Sequence, residues 1–282
     1  MHKNDKTIYI SNTIIDRKGA RKVSDIPVEV IELLHRGQLE TVNLTEWLAI
    51  DHIILLKHVL SELGLEQYSD TMLTGLGPVS KNKIMKVIPA VAMEWLHLFK
   101  LLPKEESSRI FDRLSTHRSD SVRCWAAYIV GLDETDLKQK LAFIRPFASD
   151  DHFGVREIAW MAVRDTVSKE LSQSIRILGD WVQDGNAYIR RFAIESTRPQ
   201  GVWAKHISEL KDHPEIALPL LEAVKSDSAK YVQDSVGNWL NDASKTKPDW
   251  VIQVCKAWLE SSETKETKRI VTRAQRSLAK KK

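Results

Sequence analysis

Val-Arg-Cys-Trp-Ala-Ala-Tyr-Ile, residues 122–129, returns along the chain in altered forms. It reads Val-Arg-Glu-Ile-Ala-Trp-Met-Ala at 155–162 and Ile-Arg-Arg-Phe-Ala-Ile-Glu-Ser at 189–196. It reads Val-Gln-Asp-Ser-Val-Gly-Asn-Trp at 232–239 and, more faintly, Ile-Val-Thr-Arg-Ala-Gln-Arg-Ser at 270–277. The starts lie 33, 34, 43 and 38 residues apart. A period of this size marks a stack of helix pairs, because one pair cannot bury its own apolar face. Within the strings, small or apolar residues fall at i, i+4 and i+7, as in Val155, Ala159, Ala162 and Ile189, Ala193, Ser196. Such a stripe packs on the preceding helix, and its small members permit close approach. The expected fold is all-α, a solenoid of stacked antiparallel helix pairs, and solenoids work through a long concave groove.

Each quoted string is the second helix of a pair. The first helices are expected at 104–115, 137–147, 168–182, 216–226 and 249–259. Pro103, Pro214 and Pro248 stand at or just before first-helix starts, where a missing N–H does no harm. Asp120, Asp151 and Asp184 precede Arg123, Arg156 and Arg190. HEAT repeats resemble this, with a turn aspartate and a helix arginine bonded along the array, so these arginines are expected to form a ladder. Outside the repeats, residues 1–24 read as a flexible basic N-terminus and 25–102 as an N-terminal helical region. The HEAT-like repeats occupy 103–278, and 279–282 is a basic tail. In the helical region, Pro27 opens a short helix, one long helix runs to Leu63 with Thr45 as cap, and 81–102 forms another. Gly75, Gly77 and Pro78 break the chain between them.

The 282 residues carry 42 Lys and Arg against 38 Asp and Glu, a net charge of +4. The basic excess sits at the ends, with +4 over residues 1–22 and +6 over 261–282, leaving the body mildly acidic. Basic ends can hold a polyanion without reading it. A hydrophobic content of 43% supports a buried core. No apolar run is long enough to cross a bilayer, and the start shows no secretory leader. Cys124 and Cys255 have neither a disulfide framework nor metal-ligand spacing and read as buried thiols. His117, His152, His206 and His213 also lack ligand spacing. A cytoplasmic monomer is the expectation, nucleoid-associated if the source is bacterial, with no metal and no organic cofactor. Phosphate-cradling glycine loops, dinucleotide fingerprints, His-Glu-x-x-His and Gly-x-Ser-x-Gly are all absent.

Nine tryptophans are many for a helical repeat. Trp125, Trp160 and Trp239 lie in second helices, where indoles can stack on bases or sugars while arginines hold phosphates. Three strings carry a family resemblance: Ala187-Tyr-Ile-Arg-Arg-Phe-Ala-Ile-Glu-Ser-Thr-Arg-Pro, Tyr231-Val-Gln-Asp-Ser-Val-Gly-Asn-Trp-Leu-Asn-Asp-Ala-Ser-Lys-Thr-Lys-Pro-Asp-Trp-Val, and Asp151-His-Phe-Gly-Val-Arg-Glu. Over residues 103–278 the chain resembles the AlkC/AlkD family of DNA alkylation repair proteins. The resemblance implies a C-shaped array whose groove takes alkylated or distorted duplex DNA. It also implies a monofunctional glycosylase that removes cationic N3- and N7-alkylated purines. By that resemblance Arg191 matches a phosphate-contacting arginine and Trp239 a tryptophan that packs on deoxyribose. Glu157 is the candidate carboxylate with Trp160 beside it, and Asp242 or Glu195 are substitutes. DNA contacts are expected from Trp125, Arg156, Arg190, Arg191 and Arg198. One departure stands out: AlkC-type members show Ser-Glu-Phe where this chain has Asp151-His-Phe, so the glutamate position holds His152. A non-catalytic binder of branched or damaged DNA and a protein-interaction scaffold therefore stay open beside the glycosylase.

Overall fold

A computed structural model describes residues 10–77, 83–201 and 203–278. Residues 1–9 and the tail at 279–282 lie outside these, as does Pro78. Among the described residues there are helices and no strands. The chain divides into two compact units, residues 1–126 and 127–282, with the boundary inside a helix.

The first unit contains α1 (Asn12–Ile15), α2 (Val28–His35), α3 (Leu44–Ala49), α4 (His52–Leu63), α5 (Ser69–Leu76), α6 (Ile84–Leu101), α7 (Lys104–Ser115) and the start of α8 (Asp120–Leu132). Its core includes Leu55, Leu56, Leu60, Ile88 and Trp95, all without accessible surface. The single helix expected to reach Leu63 is in fact two. Asn43, not Thr45, caps α3, its side chain accepting from Glu46 N at 3.0 Å. Asp51 then starts α4 by accepting from Ile53 N at 2.9 Å and Ile54 N at 3.2 Å, while Ile50 turns extended. An aspartate that satisfies two new helical N–H groups makes a break cheaper than continuation. Of the residues expected to break the chain, Gly75 lies within α5, Gly77 terminates that helix at φ 54°, and Pro78 lies outside the described residues. Arg17 ties the start of the chain down, pairing with the buried Glu46 at 2.9 and 2.7 Å.

The second unit contains the end of α8, then α9 (Leu137–Ala148), α10 (Phe153–Lys169), α11 (Leu171–Trp181), α12 (Ala187–Ser196), α13 (Ser208–Asp212), α14 (Leu218–Ala223), α15 (Lys230–Ala243), α16 (Pro248–Ser261) and α17 (Lys265–Ala274). The second helices α10, α12, α15 and α17 pack side by side in one layer, and α10, α12 and α17 also touch their own first helices. This is the HEAT-like repeat arrangement. Close approach depends on small residues, as at Gly131 in α8, where a Cβ would overlap the Ala162 carbonyl of α10. Two first helices differ from expectation. Glu170 breaks the backbone between α10 and α11, so α11 starts later than residue 168. The pair before α15 begins with a 3-10 turn, Pro214–Ala217, ahead of the short α14.

The expected arginine ladder has a repeated geometry. Arg123 Nη1 donates to the carbonyls of His117 and Arg118 at 2.8 and 3.0 Å. Arg156 Nη1 donates to those of Asp150 and Asp151 at 2.5 and 2.8 Å. Arg190 Nη1 donates to those of Asp184 and Gly185 at 2.8 and 3.1 Å. In the next repeat Gln233 Nε2 reaches the carbonyls of Asp227 and Ser228 at 2.7 and 3.3 Å. Each residue thus clamps the turn six and five positions upstream. The turn-forming acids are Asp150, Asp184 and Asp227, each accepting from the N–H two residues on. Of the three aspartates singled out in the sequence only Asp184 has this role. Asp120 instead accepts from Thr41 N at 3.0 Å, and Asp151 contributes its carbonyl.

Candidate functional site

The second unit buries a chain of alternating charges. Glu157 projects from α10, Arg191 and Glu195 from α12, Arg198 from just beyond it, and Asp242 from α15. Arg191 donates to Glu157 and lies 3.6 Å from Glu195. Arg198 meets Glu195 at 3.1 Å and Asp242 at 2.6 Å. Ser235 donates to Glu195 at 2.6 Å, and Lys245 closes the series on Asp242 at 2.9 Å. Arg191 and Glu195 stand one turn apart on α12, and Arg198 follows just past its C-terminal end. Burial would raise the Glu195 carboxyl, but the Arg191 and Arg198 guanidiniums outweigh it and hold it below the ordinary carboxylate range. Burial pulls Arg191 and Arg198 down, yet their acidic partners leave both raised and fully charged.

Only one carboxylate of the seam is open. The Glu157 side chain keeps 31% of its surface, against 3% for Glu195 and 5% for Asp242. It is nevertheless fixed: one oxygen accepts from Arg191, the other from Trp160 Nε1 at 2.8 Å. Beside it stand Tyr188 and Tyr231, edge to face with centroids 5.9 Å apart. Arg156 lies 4.0 Å from the Tyr188 ring and Arg191 4.1 Å from the Tyr231 ring. The buried Nε–H groups of both arginines have no hydrogen-bond partner, and these ring faces are their electrostatic neighbours. Burial raises the Tyr231 phenol against the pull of the Arg191 charge, so it remains neutral.

The site residues expected from sequence fall into two groups. Glu157, Trp160 and Arg191 are brought together. Trp125, Trp160 and Trp239 are core residues with at most 1% exposure. Their N–H groups are bonded to His52, Glu157 and the Thr197 carbonyl. Indoles without an accessible face cannot stack on a base or sugar, which corrects the expectation that they face DNA. Arg156, Arg190 and Arg198 are likewise committed inward, to turn carbonyls, to Asp227 and to Asp242. They are not free phosphate ligands. Asp242, proposed as a catalytic substitute, is held by Arg198 and Lys245, and Glu195 is closed off in the same way. His152, at the position of the AlkC-type glutamate, is the N-cap of α10, its Nδ1 accepting from Gly154 N at 3.2 Å. Sequence reasoning missed Tyr188 and Tyr231. Each directly precedes a repeat string, and that shared register was the available signal.

Cys124 and Cys255 are buried thiols, and burial pushes Cys255 up to about 11. Among the described residues, no group of three His, Cys, Asp or Glu is arranged to hold a metal, and no helix is long and apolar enough to cross a membrane.

Fold and seam together define an all-α HEAT-like repeat protein with a charged interior that opens at a single carboxylate. Residues 154–276 match the family described as DNA alkylation repair enzyme. Over that stretch, which is less than half of the chain, the protein is similar to DNA alkylation repair enzymes. The uncharacterized protein YhaZ of Bacillus subtilis is 38% identical over 120 residues, which are 43% of this chain and 33% of that protein. The match therefore spans about a third of the relative's length. Among solved structures, the alkylpurine DNA glycosylase AlkC of Pseudomonas fluorescens, bound to DNA containing an abasic-site analogue, aligns with a TM-score of 0.66 at 24% identity. That alignment covers 93% of this chain and 66% of AlkC. AlkD2 of Streptococcus mutans aligns with a TM-score of 0.56 at 24% identity, covering 77% of this chain and 97% of AlkD2.

Proposed function

We propose that the protein binds duplex DNA and acts as a monofunctional glycosylase on cationic N3- or N7-alkylated purines, with Glu157 as the carboxylate. One observation carries this reading. Within the family-matched stretch, Glu157 is the one seam carboxylate with open surface, and two donors fix its orientation. An alkylated purine already bears positive charge and departs with the electron pair of its glycosidic bond, without prior protonation. Positive charge then develops on the sugar, and a preorganised carboxylate stabilises it. Water adds at C1′ and gives up a proton. Tyr188 and Tyr231 stand half-buried near this carboxylate, each with an arginine against its ring. The DNA in the AlkC structure supports the same partner here.

A specific observation favours a second reading, a non-catalytic binder of damaged DNA. The Glu157 charge is already paired with Arg191, which weakens its pull on a developing cation. Release of 7-methylguanine and 3-methyladenine from methylated duplex DNA separates the two. A glycosylase releases base in the wild type and loses most of that release in Glu157→Gln. A protein that binds damaged duplex without any release is the binder.

A further inference from the structure

Beyond the seam, α10 carries a second feature on the same face. Glu157, Trp160, Arg164 and Ser168 follow one another at helical spacing. Arg164 is almost fully buried, its Cζ 5.7 Å from the Trp160 ring. It serves one segment of chain. Nε donates to the Lys205 carbonyl at 2.8 Å, Nη1 to that of Ser196 at 3.1 Å, and Nη2 to that of Arg198. A Cβ on Gly201 would lie 3.1 Å from Arg164 Cζ, so the chain passes directly over the guanidinium. Ile207 N closes the segment onto the Pro199 carbonyl at 3.1 Å. Burial, with the Arg198 charge beside it, lowers Arg164 to about 10, and it stays charged at neutral pH. This segment lies where the repeat spacing lengthens from 34 to 43 residues.

The loop so anchored presents Trp203. Its φ is 58°, and it is the one non-glycine residue at positive φ among those described. Its indole is 57% exposed. A left-handed backbone at a bulky residue is strained and persists when its surroundings over-determine it, commonly at functional sites. Here the exposed indole adds nothing to the core. Next to the loop is a cavity of about 210 Å³ lined by Arg164, Asp165, Ser168, Lys169, Lys205 and His206. Its Lys205–Asp165 pair, 3.3 Å apart, is exposed on both sides and readily exchanged for another anion.

We infer that Trp203, with Lys169 and Lys205 near it, forms a DNA-backbone contact in which Trp203 packs on a deoxyribose while the two lysines take adjoining phosphates. Val202 lies outside the described residues and has no assigned part. The inference rests on the DNA-binding reading above. Seven residues of helix carry Glu157 to Arg164, about 10 Å of rise. That is about three base-pair steps, so a duplex lying along this face with its lesion at Glu157 reaches the loop within the same turn. A contact of this kind positions the duplex and reads no sequence.

The test is the affinity for a fluorescein-labelled duplex containing an abasic-site analogue, measured over a salt series. Trp203→Gly is expected to weaken binding about tenfold, in the range of an aromatic contact to nucleic acid. Trp203→Phe is expected to keep binding within about threefold of wild type. Lys169→Ala with Lys205→Ala is expected to lower the salt slope by about two. The thermal midpoint of Trp203→Gly should hold or rise, because glycine accepts the backbone without strain. Unchanged binding by Trp203→Gly overturns the assignment while leaving the DNA reading intact, as does a loss of stability with no loss of affinity. A wild-type protein that binds no duplex at any salt overturns the DNA reading and this inference with it.

Discussion

Glu157 and Glu195 sit on neighbouring helices and share one arginine, yet their surroundings differ in kind. Glu195 is closed in by Arg191, Arg198 and Ser235 and has almost no exposed surface. Glu157 has Arg191 and a tryptophan N–H on its inner side, aromatic rings nearby, and an outer side that is open. The difference teaches that charge alone does not mark a reactive carboxylate. Along this seam the same residue type holds helices together in the middle and faces solvent at one end.

The hardest way to break the comparison is Glu195→Ala. It leaves two buried guanidiniums short of a partner, and losing one member of a buried ion network costs about 3–5 kcal/mol. Urea unfolding should show that loss, and a near-neutral result would mean the seam is not structural. Next is Glu157→Gln, which keeps one acceptor oxygen but turns its amide NH2 toward the other donor, Arg191 or Trp160. Its stability should fall by about 1–3 kcal/mol, less than in Glu195→Ala. Base release should fall about 10²–10³-fold, as when one preorganised charge stabiliser is removed. Similar losses of stability in both variants would erase the distinction.

Acid titration sharpens the contrast further. The Glu195 carboxyl is depressed in the folded state. Its contribution is therefore fully present above the unfolded carboxylate value of about 4.3 and is lost as pH falls through the lower folded value. Unfolding midpoints below about pH 4.5 should fall steeply in the wild type and less so in Glu195→Gln. The smallest effect is expected from Arg190→Gln. Gln233 shows that a glutamine reaches the two turn carbonyls, so only the Asp227 pairing disappears. A loss of about 1 kcal/mol is expected from calorimetry, and a much larger one would show that the arginine ladder is not interchangeable with glutamine.

The spacing of the strings at Val122, Val155, Ile189 and Val232 made the helix-pair architecture legible, because periodic burial writes itself into sequence. The break at Asp51 was not legible in the same way, because helical spacing on both sides concealed the capping residue. The tryptophans were harder. Trp239 occupies the i+7 position of its string, where Ala162 and Ser196 also fall, so the packing stripe itself announced its burial. The arginines misled for another reason. Their partners are mostly backbone carbonyls, and nothing in a side-chain pattern shows which carbonyls a turn will leave unpaired. Glu157, Trp160 and Arg191 could be named from sequence through the resemblance of the strings around them to the DNA alkylation repair family, and their places on adjacent second helices bring them together. The tyrosines beside them share a register and went unread because they precede the strings.

The clamp formed by Arg123, Arg156, Arg190 and Gln233 has a consequence for how such a chain can change length. Each clamp is completed within its own repeat, on carbonyls five and six residues upstream. The clamp of a repeat therefore does not depend on the distance to the next one. Extra residues added after α12 leave every turn intact, which is how a longer interval is tolerated there without loss of stacking. Growth of the array and elaboration of its surface are thereby uncoupled, and new loops can be tried one interval at a time.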